Sequence, residues 1–151
     1  MMPIAPPNIV PVTEACLIKA AETEHVPIAA IVGILRVEGG RVGRMHRNDD
    51  GSYDLGPMQI NTRWLPFLQA AGIDPYRVLY DGCLNLRVGA RILHQLLTRE
   101  HDPWHAIGAY HSRTPALQAL YATRVARAMN AREPVARTIA RANEDSDVAQ
   151  H

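Results

Sequence analysis

The chain has few cysteines, a single lysine, almost no net charge and no long apolar run, and each shortage removes a class of protein. A formal net charge of +1 over 151 residues argues against a nucleic-acid binder, which needs a broad basic surface to neutralise phosphates. Lys19 stands alone beside fifteen arginines, a bias that carries no functional weight. The longest apolar stretch, around Val26 to Leu35, is roughly half of the ~20 residues a bilayer span requires, so no membrane span is expected. His46, His101 and His105 read as surface histidines, and no metal and no cofactor are expected. Cys16 and Cys83 have no CxxC partner and no metal-ligand spacing. They read either as a disulfide or as two buried free thiols. A bridge over so long a loop contributes on the order of 4 kcal/mol in the chain-entropy model. Internal repeats and low-complexity tracts are also absent.

What is present suits one compact domain with a single core: the length is right for it, and 47% of the residues are hydrophobic. The prolines up to Pro11 predict an extended arm over residues 1–12, without the basic n-region or apolar core of a signal peptide. Thr13 caps a predicted first helix through about His25, and Pro27 begins a second that ends at Glu38. Residues 44–58 read as a short β-hairpin around the turn Asn48-Asp-Asp-Gly51-Ser. Thr62 to Ala71 is helical with Gly72 as its cap, and a loop through Asp81 follows. A strongly amphipathic helix runs from about Cys83 to Arg99, with Val88, Ile92, Leu96, Ala90, Leu93 and Leu97 on its apolar face. Asp102-Pro103 and Thr114-Pro115 start two more helices by the same cap-then-proline logic, to about Tyr110 and Ala131. Pro134 begins a further turn or two of helix within a polar tail, 132–151. The expectation is a mainly α fold with its working domain at 13–131.

Glu38 is the most informative residue. Ile28, Ile31, Leu35 and Glu38 fall at i, i+3, i+7 and i+10, on one stripe of a helix, so the carboxyl ends the buried face. Desolvation there and the negative end of the helix dipole both favour the protonated form that a general acid requires. Gly39-Gly40 then stops the helix and leaves a gap beside the acid. A Glu before two glycines is, taken alone, more often a solvated helix end. The neighbouring segment Asn48-Asp-Asp-Gly-Ser-Tyr-Asp54-Leu-Gly56-Pro-Met58-Gln59-Ile-Asn61 changes that reading. It supplies a sharp turn, a carboxylate, a glycine for close backbone approach and an amide, the groups that bind sugars.

Leu-Gly-Pro-Met-Gln-Ile-Asn resembles the cleft motif of the lysozyme-like superfamily, where Gly-Xaa-Met-Gln-Ile is typical of bacterial lytic transglycosylases. Asp81-Gly-Cys83-Leu-Asn, Ala106-Ile-Gly-Ala-Tyr110-His111-Ser112, and Tyr121 followed by Val125 resemble later landmarks of the small transglycosylases associated with conjugation, pilus and secretion systems. The resemblance covers roughly Ala15 to Ala128. It implies Glu38 as the single acid/base, with Asp54, Gly56, Met58, Gln59, Tyr110, His111 and Tyr121 as substrate-site residues. It also implies a Cys16 to Cys83 bridge, a periplasmic address, peptidoglycan strands as substrate and the secretion, pilus or conjugation machinery as partner. Two positions depart from the pattern: Gly39 stands where Ser often follows the acid, and His111 where Asn is common.

The implied reaction cleaves the β-1,4 bond between N-acetylmuramic acid and N-acetylglucosamine and forms a 1,6-anhydro sugar. The stretch Arg47 to Trp64 also resembles animal-type lysozymes, in which an aspartate partners the glutamate, so a hydrolytic Glu38/Asp54 pair is the first alternative. A non-catalytic peptidoglycan-binding assembly module is the second. Trp64 and Trp104 read as core rather than as sugar-stacking side chains.

Overall fold

The computed structural model describes residues 8–144. Residues 1–7 of the expected arm and 145–151 of the expected tail lie outside the described residues. Helix α1, Glu14–Glu24, starts where Thr13 accepts from the Cys16 amide and ends at His25 in the left-handed region. Helix α2, Ile28–Glu38, follows Pro27. Three short strands, β1 Met45–Arg47, β2 Tyr53–Leu55 and β3 Ile60–Asn61, form an antiparallel sheet in that order. His46 pairs with Asp54, and Asp54 with Asn61. The hairpin expected at 44–58 is β1–β2, and β3 extends it.

A 3-10 turn, Thr62–Trp64, leads into α3, Leu65–Ala70. Helix α4, Pro75–Tyr80, occupies what the sequence suggested was loop, with the Asp74 side chain capping the Tyr76 amide. Then come α5, Gly82–Arg99, α6, Pro103–His111, α7, Pro115–Met129, and α8, Val135–Ala142. Helix α5 is the core: Leu86, Val88, Ala90, Ile92, Leu93 and Leu96 are buried along it, and it packs against α1, α4 and α6. Helix α7 packs on α2 and α6. The Cys16–Cys83 disulfide joins α1 to the start of α5 with a Cα–Cα distance of 5.6 Å. Among the described residues no helix is long and apolar enough to cross a membrane.

Two expectations about apolar side chains fail. Ile28 is exposed at the start of α2, and the buried stripe is carried by Ile31, Ile34 and Leu35. Trp104 is exposed rather than core, because it falls in the first turn of α6, where Asp102 caps its amide. The C-terminal part of α2 is held from the far side by Arg36. Its guanidinium donates to Thr138 Oγ1 at 3.0 Å, to the Ala128 carbonyl at 2.8 Å and to the Glu133 carbonyl at 2.6 Å. Three hydrogen bonds from one planar group tie α2 to the end of α7 and to α8 two residues before Glu38.

Candidate active site

Glu38 is the last residue of α2, and Gly39 ends the helix in the left-handed region at φ 61°, its amide bonding the Leu35 carbonyl. Gly40 meets the motif loop directly. A Cβ there would collide with the Gly56 carbonyl oxygen and come within 2.8 Å of the Pro57 carbonyl and the Gln59 Nε2. The two glycines therefore act differently: the first stops the helix, and the second lets its end lie against the loop.

The loop itself is held from behind by Asn85, fully buried on α5. Asn85 Oδ1 accepts from the Met58 amide at 2.8 Å, and Nδ2 donates to the carbonyls of Leu55 and Val78 at 2.9 and 3.0 Å. Gly56, at φ 66°, is needed because any Cβ would run into the Asn85 amide. Its close approach is thus to Asn85 and not to a ligand. Met58 is fully buried over Gly89, so its side chain packs behind the cleft instead of lining it; an apolar side chain facing α5 gains more from burial than from the wet wall. Its carbonyl accepts from the Tyr110 hydroxyl at 2.7 Å. Gln59 adopts φ 51°, with its side chain folded back onto the Gly56 carbonyl at 2.9 Å.

In front of these groups lies an open cleft of about 600 Å³. Glu38, Asp54, Gln59 and His111 line it together with Arg41, Arg44, Met45 and His46. The Glu38 side chain is 13% exposed and its Oε2 accepts from the Tyr121 hydroxyl at 2.8 Å. His111 stacks flat on Tyr121, with ring centroids 4.4 Å apart, and its Nδ1 lies 3.8 Å from the same Glu38 oxygen. Asp54 Oδ1 accepts from Asn61 Nδ2 at 2.9 Å across the sheet. Arg63 donates to the carbonyls of Ala109 and Tyr110 at 3.0 Å and so pins the end of α6 that carries Tyr110 and His111. Of the residues named from sequence, Glu38, Asp54, Gln59 and His111 reach the cleft, Tyr121 touches the acid, and Gly56, Met58 and Tyr110 support the loop. Asn85 and Arg63 were not singled out. Asn85 stood within the Asp81-Gly-Cys83-Leu-Asn landmark, and a buried Asn beside a tight loop is the signal that identifies it.

Both tyrosines resist ionisation. Burial, then the charges of Glu38 and Asp54, raise the Tyr110 phenol well above its ordinary value near 10. Burial, then the Glu38 charge, do the same for Tyr121. Each phenol stays a hydrogen-bond donor through neutral pH. Above about pH 10 the unfolded chain releases protons that the folded chain keeps, so stability is complete below that pH and falls as pH rises. The slope approaches about 1.4 kcal/mol per pH unit for each tyrosine. Urea midpoints between pH 9 and 11 check this, and midpoints that do not move would contradict it.

Several known proteins are similar to this chain in sequence. The Invasion protein IagB of Salmonella typhimurium is 33% identical over 100 residues, covering 66% of this chain and 62% of that protein. Protein IpgF of Shigella flexneri is 29% identical over 100 residues, covering 66% of each. A peptidoglycan-binding-like protein of Escherichia coli is 32% identical over 87 residues, covering 56% of this chain and 52% of the relative. The chain spans under two thirds of the length of each of these relatives. The family described as transglycosylase SLT domain matches residues 15–128, which takes in the acid-bearing helix, the sheet, the motif loop and both tyrosines. The chain belongs to the transglycosylase SLT domain family.

Proposed function

We propose that this chain is a peptidoglycan lytic transglycosylase that cleaves the bond between N-acetylmuramic acid and N-acetylglucosamine and leaves a 1,6-anhydromuramyl end. The observation that carries the reading is the Glu38 carboxyl, nearly buried on the cleft wall with a phenol donating to one of its oxygens. Glu38 gives its proton to the glycosidic oxygen as the bond to the anomeric carbon breaks, and the N-acetylglucosamine hydroxyl leaves neutral. The resulting carboxylate, stabilised by Tyr121, takes the proton of the muramyl C6 hydroxyl while that oxygen attacks the anomeric carbon. The nucleophile is part of the substrate, so positioning replaces a second carboxylate. In this reading Asp54, Gln59 and His111 hold the sugars, and Gly56, Met58 and Tyr110 keep the loop in place behind them.

The name of the invasion protein among the relatives supports a task in opening the wall locally for a secretion, pilus or conjugation apparatus. A disulfide and a wall polymer as substrate support a periplasmic setting. Mass spectrometry of fragments released from purified sacculi tests the reaction, with anhydromuramyl ends, one water lighter than reducing ends, as the expected product. Asp54 lies in the same cleft as Glu38, which favours a hydrolytic pair as second reading; mainly reducing ends would establish it. No released fragment at all would favour a binding module.

A further inference from the structure

We propose that Arg44, on the wall of the cleft, binds a carboxylate on the muramyl side arm and so selects acid-bearing glycan over neutral N-acetylglucosamine polymer. This rests on the glycan-cleaving reading above and names its substrate more narrowly. Sugar hydroxyls and N-acetyl groups are neutral and need no guanidinium. The anionic groups such a strand offers are carboxylates: the lactyl group of a bare muramyl residue, or the free acids of a stem peptide.

Arg41 and Arg44 line the same cleft as Glu38. Arg41 is already committed to Glu144 at 2.8 Å. Among the described residues Arg44 makes no ion pair, and it is exposed. Its backbone, by contrast, is fixed. The Val42 amide bonds the Ala142 carbonyl at 2.9 Å, the Gly43 amide bonds the Leu79 carbonyl at 2.7 Å, and the Arg44 amide bonds the Arg41 carbonyl at 3.1 Å. The Arg44 carbonyl in turn accepts from the Gly56 amide at 3.0 Å, which places its root one hydrogen bond from the motif loop. A guanidinium on a rigid root, with no partner to give up among the described residues, loses little on binding a carboxylate in its planar fork. Asp54, which lines the same cleft, repels a carboxylate from its own part of the wall. An anionic side arm is thereby oriented toward Arg44, which fixes the direction in which the strand lies.

The test measures binding by the Glu38→Gln protein, with and without Arg44→Gln, to three soluble strands: peptide-bearing glycan, amidase-stripped glycan with free lactyl groups, and a neutral N-acetylglucosamine oligomer. Arg44→Gln is expected to weaken binding about tenfold on a carboxylate-bearing strand and to leave the neutral oligomer unchanged. Arg44→Lys is expected to keep part of the affinity. Loss confined to peptide-bearing strands assigns the carboxylate to the stem, and loss confined to stripped strands assigns it to the lactyl group. Equal affinities before and after substitution on all three, or an equal loss that includes the neutral oligomer, would overturn the proposal. Binding is read without turnover. A protein that selects acidic strands but yields no anhydro product leaves this inference standing while removing the reaction.

Discussion

Glu38→Gln is expected to lower fragment release from sacculi by about a thousandfold or more, with the fold unchanged. General acid and general base steps are each worth roughly 10²–10⁴, and in the proposed reaction one carboxyl performs both. The amide has nearly the same shape, and its oxygen can still accept from the Tyr121 hydroxyl that meets Glu38 Oε2 at 2.8 Å. Melting temperature should therefore be preserved while turnover is lost, a combination that general unfolding does not produce. Turnover near that of the parent protein would remove Glu38 from the chemistry, whatever its position.

Asn85→Ala is expected to have the largest effect on stability, at least about 3 kcal/mol. The side chain is fully buried and makes three hydrogen bonds, all to backbone groups of the motif loop or of α4. Truncation strands the Met58 amide and the carbonyls of Leu55 and Val78, and each unsatisfied buried group costs about 1–3 kcal/mol. Against a total stability of about 5–15 kcal/mol, that loss is a large share. Chemical denaturation measures it. A change below about 1 kcal/mol would mean that the loop is held by its own turn and by the Tyr110 hydroxyl. Because Gly56 and Gln59 sit on this loop, activity should fall with stability as the cleft wall loosens.

The helices were legible where two local signals agreed. Thr13 before an apolar run, and Asp102-Pro103 and Thr114-Pro115 before others, gave starts that the structure keeps. Asp74-Pro75 carries the same signal, yet its helix spans only Pro75–Tyr80, too short for an apolar period to show. Strand β3, Ile60–Asn61, is likewise two residues long, below the length at which alternation can be read. Glu38 was legible because helix periodicity placed it on a buried stripe. The division of labour around it was not, since spacing shows which residues belong to a loop but not which face packs. Met58 therefore read as a cleft residue and lies behind the wall, and Tyr110 serves the loop while Tyr121 serves the acid. Trp104 read as core from its residue type, but its place in a first turn put it at the surface.

The bridge between Cys16 and Cys83, 67 residues apart in sequence, divides the site topologically. Glu38, the sheet and the motif loop lie inside a closed covalent ring, while Asn85, Tyr110, His111 and Tyr121 all lie on the chain that leaves it. Oxidation can close the ring, yet it brings neither His111 nor Tyr121 to the acid, nor Tyr110 to the loop. The site is completed only when the emerging chain folds back across the ring, so a correctly oxidised protein is not thereby an assembled one.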